Sequence, residues 1–145
     1  MEKTARGIIF TNENKDKIIS IKRTKYVDGK VSKVYYTFPG GHVEGSETCV
    51  ETLIREVEEE LSIKVKNIEE FEHIYNEELK REELFYTCIY SSGVLSKGNG
   101  PEWQNPDCNK YGDYEIVVID VADVEKYNFL PIDIKSKVIQ MYANC

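Results

Sequence analysis

The apolar and polar positions of residues 46–63 recur with the period of an amphipathic helix. Apolar side chains stand three or four residues apart, as expected for a stripe that faces a hydrophobic core, at Val50, Leu53, Ile54, Val57 and Leu61. Ser46 is one candidate N-cap, because it places Glu47 in the first turn. Thr48 with Glu51 forms a competing capping box. The pattern predicts a helix, and the two candidate caps place its first residue one or two positions apart.

Short apolar or alternating runs before and after this helix predict β-strands. We predict them at residues 4–11, 17–23, 34–38, 65–75, 82–91 and 114–121. A polar turn between the first two predicts a hairpin, and the polar segment 26–32 predicts a connection that turns at Asp28–Gly29. Residues 122–126 predict a short helical turn. Residues 132–142 predict a last helix with an apolar stripe at Ile134, Val138, Ile139 and Tyr142.

One segment, residues 92–113, has no regular pattern and is rich in Gly, Pro and Asn. A loop of this length inside a compact domain is usually functional or mobile. It contains Trp103, which either packs the loop against the domain or stacks on a nucleobase. It also contains Glu102, a carboxylate next to that ring. Both side chains are therefore candidates for a role in binding or chemistry.

The composition is ordinary for a soluble globular protein, with 145 residues of which 41% are hydrophobic and 31% charged. We expect residues 1–145 to form a single domain. A formal net charge of −7 argues against binding to nucleic acid polymers or anionic membranes, although a bound metal would still permit nucleotides. The four cysteines lack metal-ligand or redox spacing and indicate free thiols. Since no run has the pattern of a signal peptide or a membrane span, we expect a cytoplasmic protein.

Three carboxylates, Glu56, Glu59 and Glu60, follow the helical period on a second arc of the predicted helix. Like charges at these spacings repel by roughly 0.2–0.5 kcal/mol per pair, and a solvated acidic face is the ordinary explanation for a Glu-rich helix. A hard divalent cation reverses that cost, because Mg²⁺ binds carboxylate and phosphate oxygens. Two small side chains on the same arc are expected to leave room for a metal and a phosphate: Cys49 and Thr52.

The spacing of glycine, glutamate, arginine and aliphatic residues between Gly41 and Ile63 resembles the Nudix box. That motif is a glycine, five residues, Glu, seven residues, Arg-Glu, an aliphatic, one residue, Glu-Glu, one residue, glycine and an aliphatic. The matching residues here are Gly41, Glu47, Arg55, Glu56, Val57, Glu59, Glu60 and Ile63. Ser62 is the one departure, because it stands where the family has glycine. If that position forms a left-handed cap, serine would cost about 1 kcal/mol there.

The resemblance implies a fold and an activity. The fold is an α/β/α sandwich with a mixed central sheet, a helix from the box and a C-terminal helix. The activity is hydrolysis of a phosphoanhydride bond in a nucleoside diphosphate derivative or nucleoside triphosphate, by attack of water at phosphorus. The cofactor is Mg²⁺, with Mn²⁺ as a possible substitute. Its expected ligands are the carbonyl of Gly40 and the carboxylates of Glu56, Glu59 and Glu60.

The other site residues are assigned by the same resemblance. Arg55 is expected to orient the glutamates, while Gly41 and Glu47 support the loop and the helix. The general base is Glu56 in some members of the family and a glutamate outside the box in others. The outside candidates here are Glu102 and Glu115.

Substrate binding is expected to involve residues outside the box. Arg23 is either a solvated charge at the end of a strand or a contact to substrate phosphate. The aromatic candidates for substrate binding are Tyr36, Phe38 and Trp103. The expected partner is a small nucleotide-type molecule, and the choice between monomer and homodimer stays open.

A second class of function is a Nudix module that binds a nucleotide or nucleotide-sugar without catalysis. The intact set Arg55, Glu56, Glu59 and Glu60 argues against it, because a pure binding module need not keep every ligand. The isoprenoid diphosphate isomerases share the fold, but we find no pair of cysteine and glutamate to place in that role.

Overall fold

A computed structural model describes residues 2–97 and 113–143 of the chain. Its strands are β1 Glu2–Phe10, β2 Lys17–Val27, β3 Lys30–Thr37, β4 Gly40–His42, β5 Lys64–Asn76, β6 Arg81–Ser92 and β7 Asp113–Asp120. Its helices are α1 Cys49–Leu61, a 3-10 helix Val121–Lys126, and α2 Ile132–Val138, which continues as a π-helical turn Ile139–Ala143. Within the described ranges, no helix is long and apolar enough to cross a membrane.

The strands form one mixed sheet. β1 runs parallel to β6 and antiparallel to β2 and β4, and β5 completes one edge by antiparallel pairing with β6. β2 also pairs antiparallel with β3 and β7. The predicted hairpin of the first two strands is therefore confirmed. The turn at residues 28–29 is also confirmed, but the rest of the segment 26–32 belongs to β2 and β3 and is not a loop.

The sheet separates two hydrophobic clusters, one on each face. The first cluster lies against the 3-10 helix and α2, and its members include Phe10, Phe85, Phe129, Ile134 and Val138. The second lies against α1, and its members include Ala5, Ile9, Leu53, Val57 and Leu61. This arrangement confirms the predicted α/β/α sandwich with a mixed central sheet.

Helix α1 begins with the capping box, so the choice between the two starts is settled. The Thr48 hydroxyl accepts a hydrogen bond from the Glu51 backbone N–H at 3.1 Å, and the Glu51 carboxylate accepts one from the Thr48 N–H at 2.9 Å. The predicted apolar stripe was too wide, because Val50 and Ile54 are 37% and 40% exposed. The helix packs on a narrower seam, and its buried arc instead includes Thr52.

Helix α1 ends at Ser62, which has the left-handed conformation expected of the family glycine. Its φ and ψ are 61° and 29°, and its backbone N–H donates to the Glu58 carbonyl at 3.0 Å. The side chain therefore occupies a region that L residues other than Asn and Asp seldom adopt.

We predict that Ser62→Gly stabilises the fold by about 1 kcal/mol, because glycine adopts this conformation without a Cβ penalty. Urea unfolding of the wild type and the variant measures the difference. Ser32→Gly is the control, because Ser32 is exposed in β3 and glycine inside a strand destabilises. An equal loss of stability in both variants would contradict this account of the cap.

Candidate active site

A cavity of about 720 Å³ lies between α1, the β4 segment and the sheet. Helix α1 contributes Arg55, Glu56, Glu59 and Glu60 to its lining. The β4 segment and the following loop contribute Gly40, Gly41, His42 and Glu44. The sheet contributes Arg6, Ile21, Arg23, Thr37 and Tyr114. The structure thus brings the box residues together with side chains from β1, β2, β3 and β7.

Two glycines allow β4 to pass close to its neighbours. A Cβ at Gly41 would lie 2.4 Å from the Glu56 carboxyl carbon, and a Cβ at Gly40 would lie 2.1 Å from the Ala5 carbonyl oxygen. Gly40 also has a φ of 151°, which L side chains rarely adopt. A side chain at Gly40 would therefore push β4 away from the β1 backbone, whereas a side chain at Gly41 would displace the Glu56 carboxylate.

Arg55 joins α1 to the preceding loop. Its Nε and Nη2 donate to the two carboxylate oxygens of Glu47 at 2.6 and 3.0 Å, and Nη2 also donates to the His42 carbonyl at 3.1 Å. Its Nη1 donates to Glu56 at 2.9 Å and to Glu59 at 3.3 Å. Bidentate charge-assisted hydrogen bonds of this kind are strong and directional. Arg55 therefore fixes the loop and two cavity carboxylates at once.

Glu47 supports the loop through further hydrogen bonds. Its carboxylate accepts from the Glu44 backbone N–H at 3.0 Å and from the Thr52 hydroxyl at 2.9 Å. The Arg55 guanidinium, followed by the Glu44 N–H, lowers the pKa of Glu47 to about 2. Thr52 is therefore a buried partner of Glu47 and does not line the cavity, and neither does Cys49. This corrects the expectation that the two small residues make room for a ligand.

Glu56, Glu59 and Glu60 all line the cavity, but they do not form a closed cage. In residues 2–97 and 113–143, no three Asp, Glu, His or Cys side chains are grouped closely enough to hold a metal ion as they stand. Two of the carboxylates face Arg55, and Glu60 is buried with 6% exposure. Mg²⁺ keeps several waters and is shared between one or two carboxylates and substrate phosphates. The all-oxygen donor set therefore fits Mg²⁺ without a preformed three-carboxylate site.

A comparison with family models identifies a match to the NUDIX domain over residues 1–134. The chain belongs to the Nudix family. It is accordingly a Nudix hydrolase. Among solved structures, a MutT structure from work on Aliivibrio salmonicida and Vibrio cholerae is similar with a TM-score of 0.69 and 20% identity, over 97% of each chain.

Two further solved structures have the same fold. The E. coli ORF135 protein matches with a TM-score of 0.64 and 20% identity, over 100% of this chain and 94% of that one. A NUDIX hydrolase from Nitrosomonas europaea matches with a TM-score of 0.66 and 14% identity, over 97% of this chain and 87% of that one.

The Nudix cavity includes an arginine that the sequence pattern did not single out. Arg6 lies in β1, and its Nη1 donates to the Phe38 carbonyl at 3.2 Å, just before Gly40. Burial lowers the pKa of Arg6, and the carboxylate of Glu60 is the main opposing influence. The signal available in the sequence was a lone arginine within the apolar run of the first strand, next to Gly7.

Tyr36 and Phe38 are placed away from the cavity. Successive side chains of a strand point to opposite faces, and it is Thr37 that lines the Nudix cavity. Phe38 is fully buried and stacks on Phe129 with ring centroids 5.3 Å apart, while Tyr36 packs in the same cluster. Their placement corrects the expectation that they contact the substrate.

Glu115 also lies on the other face of the sheet. It pairs with Lys22, whereas the neighbouring cavity residue Tyr114 pairs with Arg23. Since Glu115 is exposed and does not line the cavity, its placement gives no support to its role as general base. The two remaining candidates, Glu102 and Trp103, lie outside the described residues.

The low pKa of Glu47 predicts a pH-dependent contribution to stability. A carboxyl group whose pKa is lowered from 4.5 to about 2 in the folded state stabilises the fold above pH 4.5 and loses that effect as the pH falls toward 2. We therefore expect Glu47→Gln to lower Tm at pH 7, and the gap to the wild type to close between pH 5 and 2. Thermal unfolding across this pH range measures it.

Glu58→Gln is the matched control, because Glu58 is exposed on the same helix and has no ion pair within the described part of the chain. It should leave Tm nearly unchanged throughout. A gap for Glu47→Gln that stays constant down to pH 2 would contradict the ion pair as its cause.

Proposed function

We propose that this chain is a Mg²⁺-dependent hydrolase of a phosphoanhydride bond in a nucleoside diphosphate derivative or nucleoside triphosphate. The observation that carries the proposal is the single cavity in which Gly40, Glu56, Glu59 and Glu60 face arginines from the sheet. Carboxylates suit a divalent cation and guanidinium groups suit phosphate. A diphosphate bridging the two is the ligand that satisfies both sides of this cavity.

The expected metal-binding groups are the Gly40 carbonyl and the carboxylates of Glu56, Glu59 and Glu60. When bound, Mg²⁺ neutralises the diphosphate and lowers the pKa of a water molecule; Mn²⁺ would supply the same chemistry. The absence of a side chain at Gly41 lets the Glu56 carboxylate lie against β4, which also contains Gly40. Arg55 Nη1 donates hydrogen bonds to the carboxylates of Glu56 and Glu59 at 2.9 and 3.3 Å and so fixes their positions.

In the proposed reaction the oxygen of water bonds to phosphorus as the bridging P–O bond breaks. One proton of the water passes to a carboxylate base, and the leaving phosphate oxygen takes the bond's electron pair. Glu56 is the candidate base among the described residues, because the resemblance gives that role to this box position and its side chain lines the cavity. Glu102 stays a second candidate. Arg23 and Arg6, on the sheet side, are expected to bind phosphoryl oxygens of the substrate.

The alternative of a binding module without catalysis is less well supported. A sensor needs neither a base nor a complete set of ligands, whereas this cavity keeps Arg55, Glu56, Glu59 and Glu60. Phosphate release from a panel of nucleotides, with and without Mg²⁺, separates the two functions. The panel should include oxidised deoxynucleoside triphosphates, ADP-ribose, dinucleoside polyphosphates and nucleotide sugars.

We predict that Glu59→Gln and Glu60→Gln each lower Mg²⁺-dependent kcat/KM by roughly 10–100-fold or more, because each removes an anionic oxygen ligand while keeping the shape of the side chain. Steady-state kinetics on the best substrate of the panel measures the effect. Glu58→Gln should keep wild-type turnover, since that side chain is exposed outside the cavity.

The metal-free proteins provide the complementary measurement. Relief of repulsion with Glu56 and Glu60 should offset the lost contact of Glu59 with Arg55, so Glu59→Gln should leave Tm close to that of the wild type. Glu60→Gln should lower Tm, because the Glu60 carboxylate offsets the charge of the buried Arg6. Near-normal turnover in both variants would show that the metal site is assigned wrongly, and a large drop in Tm of Glu59→Gln would show that this carboxylate is structural.

A further inference from the structure

A group of polar side chains extends from the cavity wall into the sheet between β1 and β6. Arg6 lines the cavity, and Glu83 of β6 pairs in register with Thr4 of β1. Ala5 packs on the α1 side of the sheet, so Thr4 and Arg6 project from the other face, and Glu83 projects beside Thr4. Glu83 is therefore a diagonal neighbour of Arg6, and side chains of this length reach each other across such a diagonal.

The Glu83 carboxylate is buried, and hydrogen bonds satisfy only one of its two oxygens. Its side chain is 5% exposed. Oε1 accepts hydrogen bonds from Nε and Nη2 of Arg81 at 3.1 and 2.9 Å. Oε2 has no hydrogen-bond partner among the described residues, and the same holds for the hydroxyl of Thr4 beside it. A buried carboxylate oxygen in this state is costly, which indicates that a further cation compensates the charge of Glu83.

Arg6 is the cation that fits this role. Its Nη1 donates to the Phe38 carbonyl at 3.2 Å, and that acceptor carries no net charge. Burial lowers the pKa of Arg6, and the carboxylates of Glu60 and Glu83 act in the opposite direction. A guanidinium that is removed from water depends on such counter-charges. Arg6 therefore lies between one carboxylate from α1 and another from β6.

These two carboxylates differ in what else they are expected to bind. Glu60 lines the cavity as an expected metal ligand, whereas Glu83 does not line the cavity. A divalent cation on Glu60 would draw on the negative charge that offsets Arg6. The guanidinium would then depend on Glu83, whose place outside the cavity keeps its charge available with and without a metal.

We propose that Glu83 is a positioning residue of the active site and acts through Arg6. It supplies the permanent counter-charge of the guanidinium, so that Glu60 can bind a divalent cation without leaving Arg6 uncompensated. Groups that surround metal ligands in this way orient them and tune the affinity for the metal. The inference rests on the proposed function. It adds a residue that lies outside both the box and the cavity lining.

The first test is a titration of Mn²⁺ into the metal-free proteins, each shown to be folded by its Tm, with the free ion followed by electron paramagnetic resonance. Glu83→Gln should weaken Mn²⁺ binding by about tenfold or more, because Arg6 then competes with the metal for Glu60. Glu83→Asp should recover much of this loss, since it keeps the charge. Equal Mn²⁺ affinities of the wild type and Glu83→Gln would overturn the proposal.

Glu82→Gln is the matched control for this titration. Glu82 is the next residue of β6, projects from the opposite face and pairs with Lys3 at 3.6 Å. Its substitution removes the same charge from the same strand and should leave Mn²⁺ affinity at the wild-type value. A loss as large as that of Glu83→Gln would show that any charge removed from β6 weakens the site, and would also overturn the proposal.

Arg6→Met in the Glu83→Gln background separates positioning from general damage to the fold. Removal of the guanidinium removes the competitor for Glu60, so the double variant should recover Mn²⁺ affinity to within about threefold of the wild type. A double variant that binds Mn²⁺ as weakly as Glu83→Gln would show that the single substitution merely loosens the structure. That result would overturn the proposal.

Urea unfolding of the metal-free single and double variants measures the link between the two side chains without a metal. The effects of Arg6→Met and Glu83→Gln should deviate from additivity by about tenfold in the equilibrium constant of unfolding. Additive effects would overturn the inference and leave the proposed hydrolase function untouched. Absence of saturable Mn²⁺ binding to the wild type would instead contradict the proposed function, and the inference would fail with it.

Discussion

The hydrogen bonds of Arg55 are the interaction on which the cavity depends. A single guanidinium, 26% exposed, contacts Glu47, Glu56 and Glu59 and the His42 carbonyl. Without it, the loop between β4 and α1 would lose the charged hydrogen bonds that join it to α1 in the described structure, and neighbouring carboxylates would repel without compensation. The cavity lining contains four glutamates and three arginines, so its formal charge is negative even with Arg55 counted. The excess of negative charge lies on the helix side, where a divalent cation would bind.

The two sides of the cavity divide the work in the proposed mechanism. Helix α1 and the β4 segment carry the groups proposed to bind the metal and the reacting diphosphate, and these residues lie close together in the sequence. The sheet side carries the polar groups proposed to contact the phosphoryl oxygens of the substrate, Arg6 from β1 and Arg23 from β2, with Tyr114 of β7 beside Arg23. Because Arg23 and Tyr114 are held by strand pairing and not by the motif, this side can differ between family members that share the same chemistry.

Much of the site could be predicted because its determinants are close together in the chain. The spacing from Arg55 to Glu60 places four charged box side chains on one helix, and a helix has a fixed period. The capping box at Thr48 and the left-handed Ser62 are likewise local, and the structure has both. The mixed sheet between two helical layers followed from the resemblance.

The side chains that the sheet contributes to the cavity could not be predicted, because they depend on pairing between strands that are distant in sequence. A strand presents alternate residues to opposite faces, and which face meets the cavity depends on its register with other strands. The aromatic pattern around Phe38 could not show that Thr37 faces the cavity, nor could the late strand show that Tyr114, and not Glu115, does so. The helical period placed Ile54 in the buried stripe, but packing of α1 on the sheet leaves it 40% exposed. The period alone does not predict how wide the buried stripe is.

Direct measurement of metal binding tests the central claim that this cavity is a divalent-metal site. Mn²⁺ is titrated into the wild type, Glu56→Gln and the control Glu58→Gln, and the free ion is followed by its electron paramagnetic resonance signal. The account predicts saturable binding that Mg²⁺ displaces, weakened by roughly 10–100-fold in Glu56→Gln and unchanged in Glu58→Gln. Equal Mn²⁺ affinity in all three proteins, or no saturable binding to the folded wild type with or without a nucleotide, would contradict it.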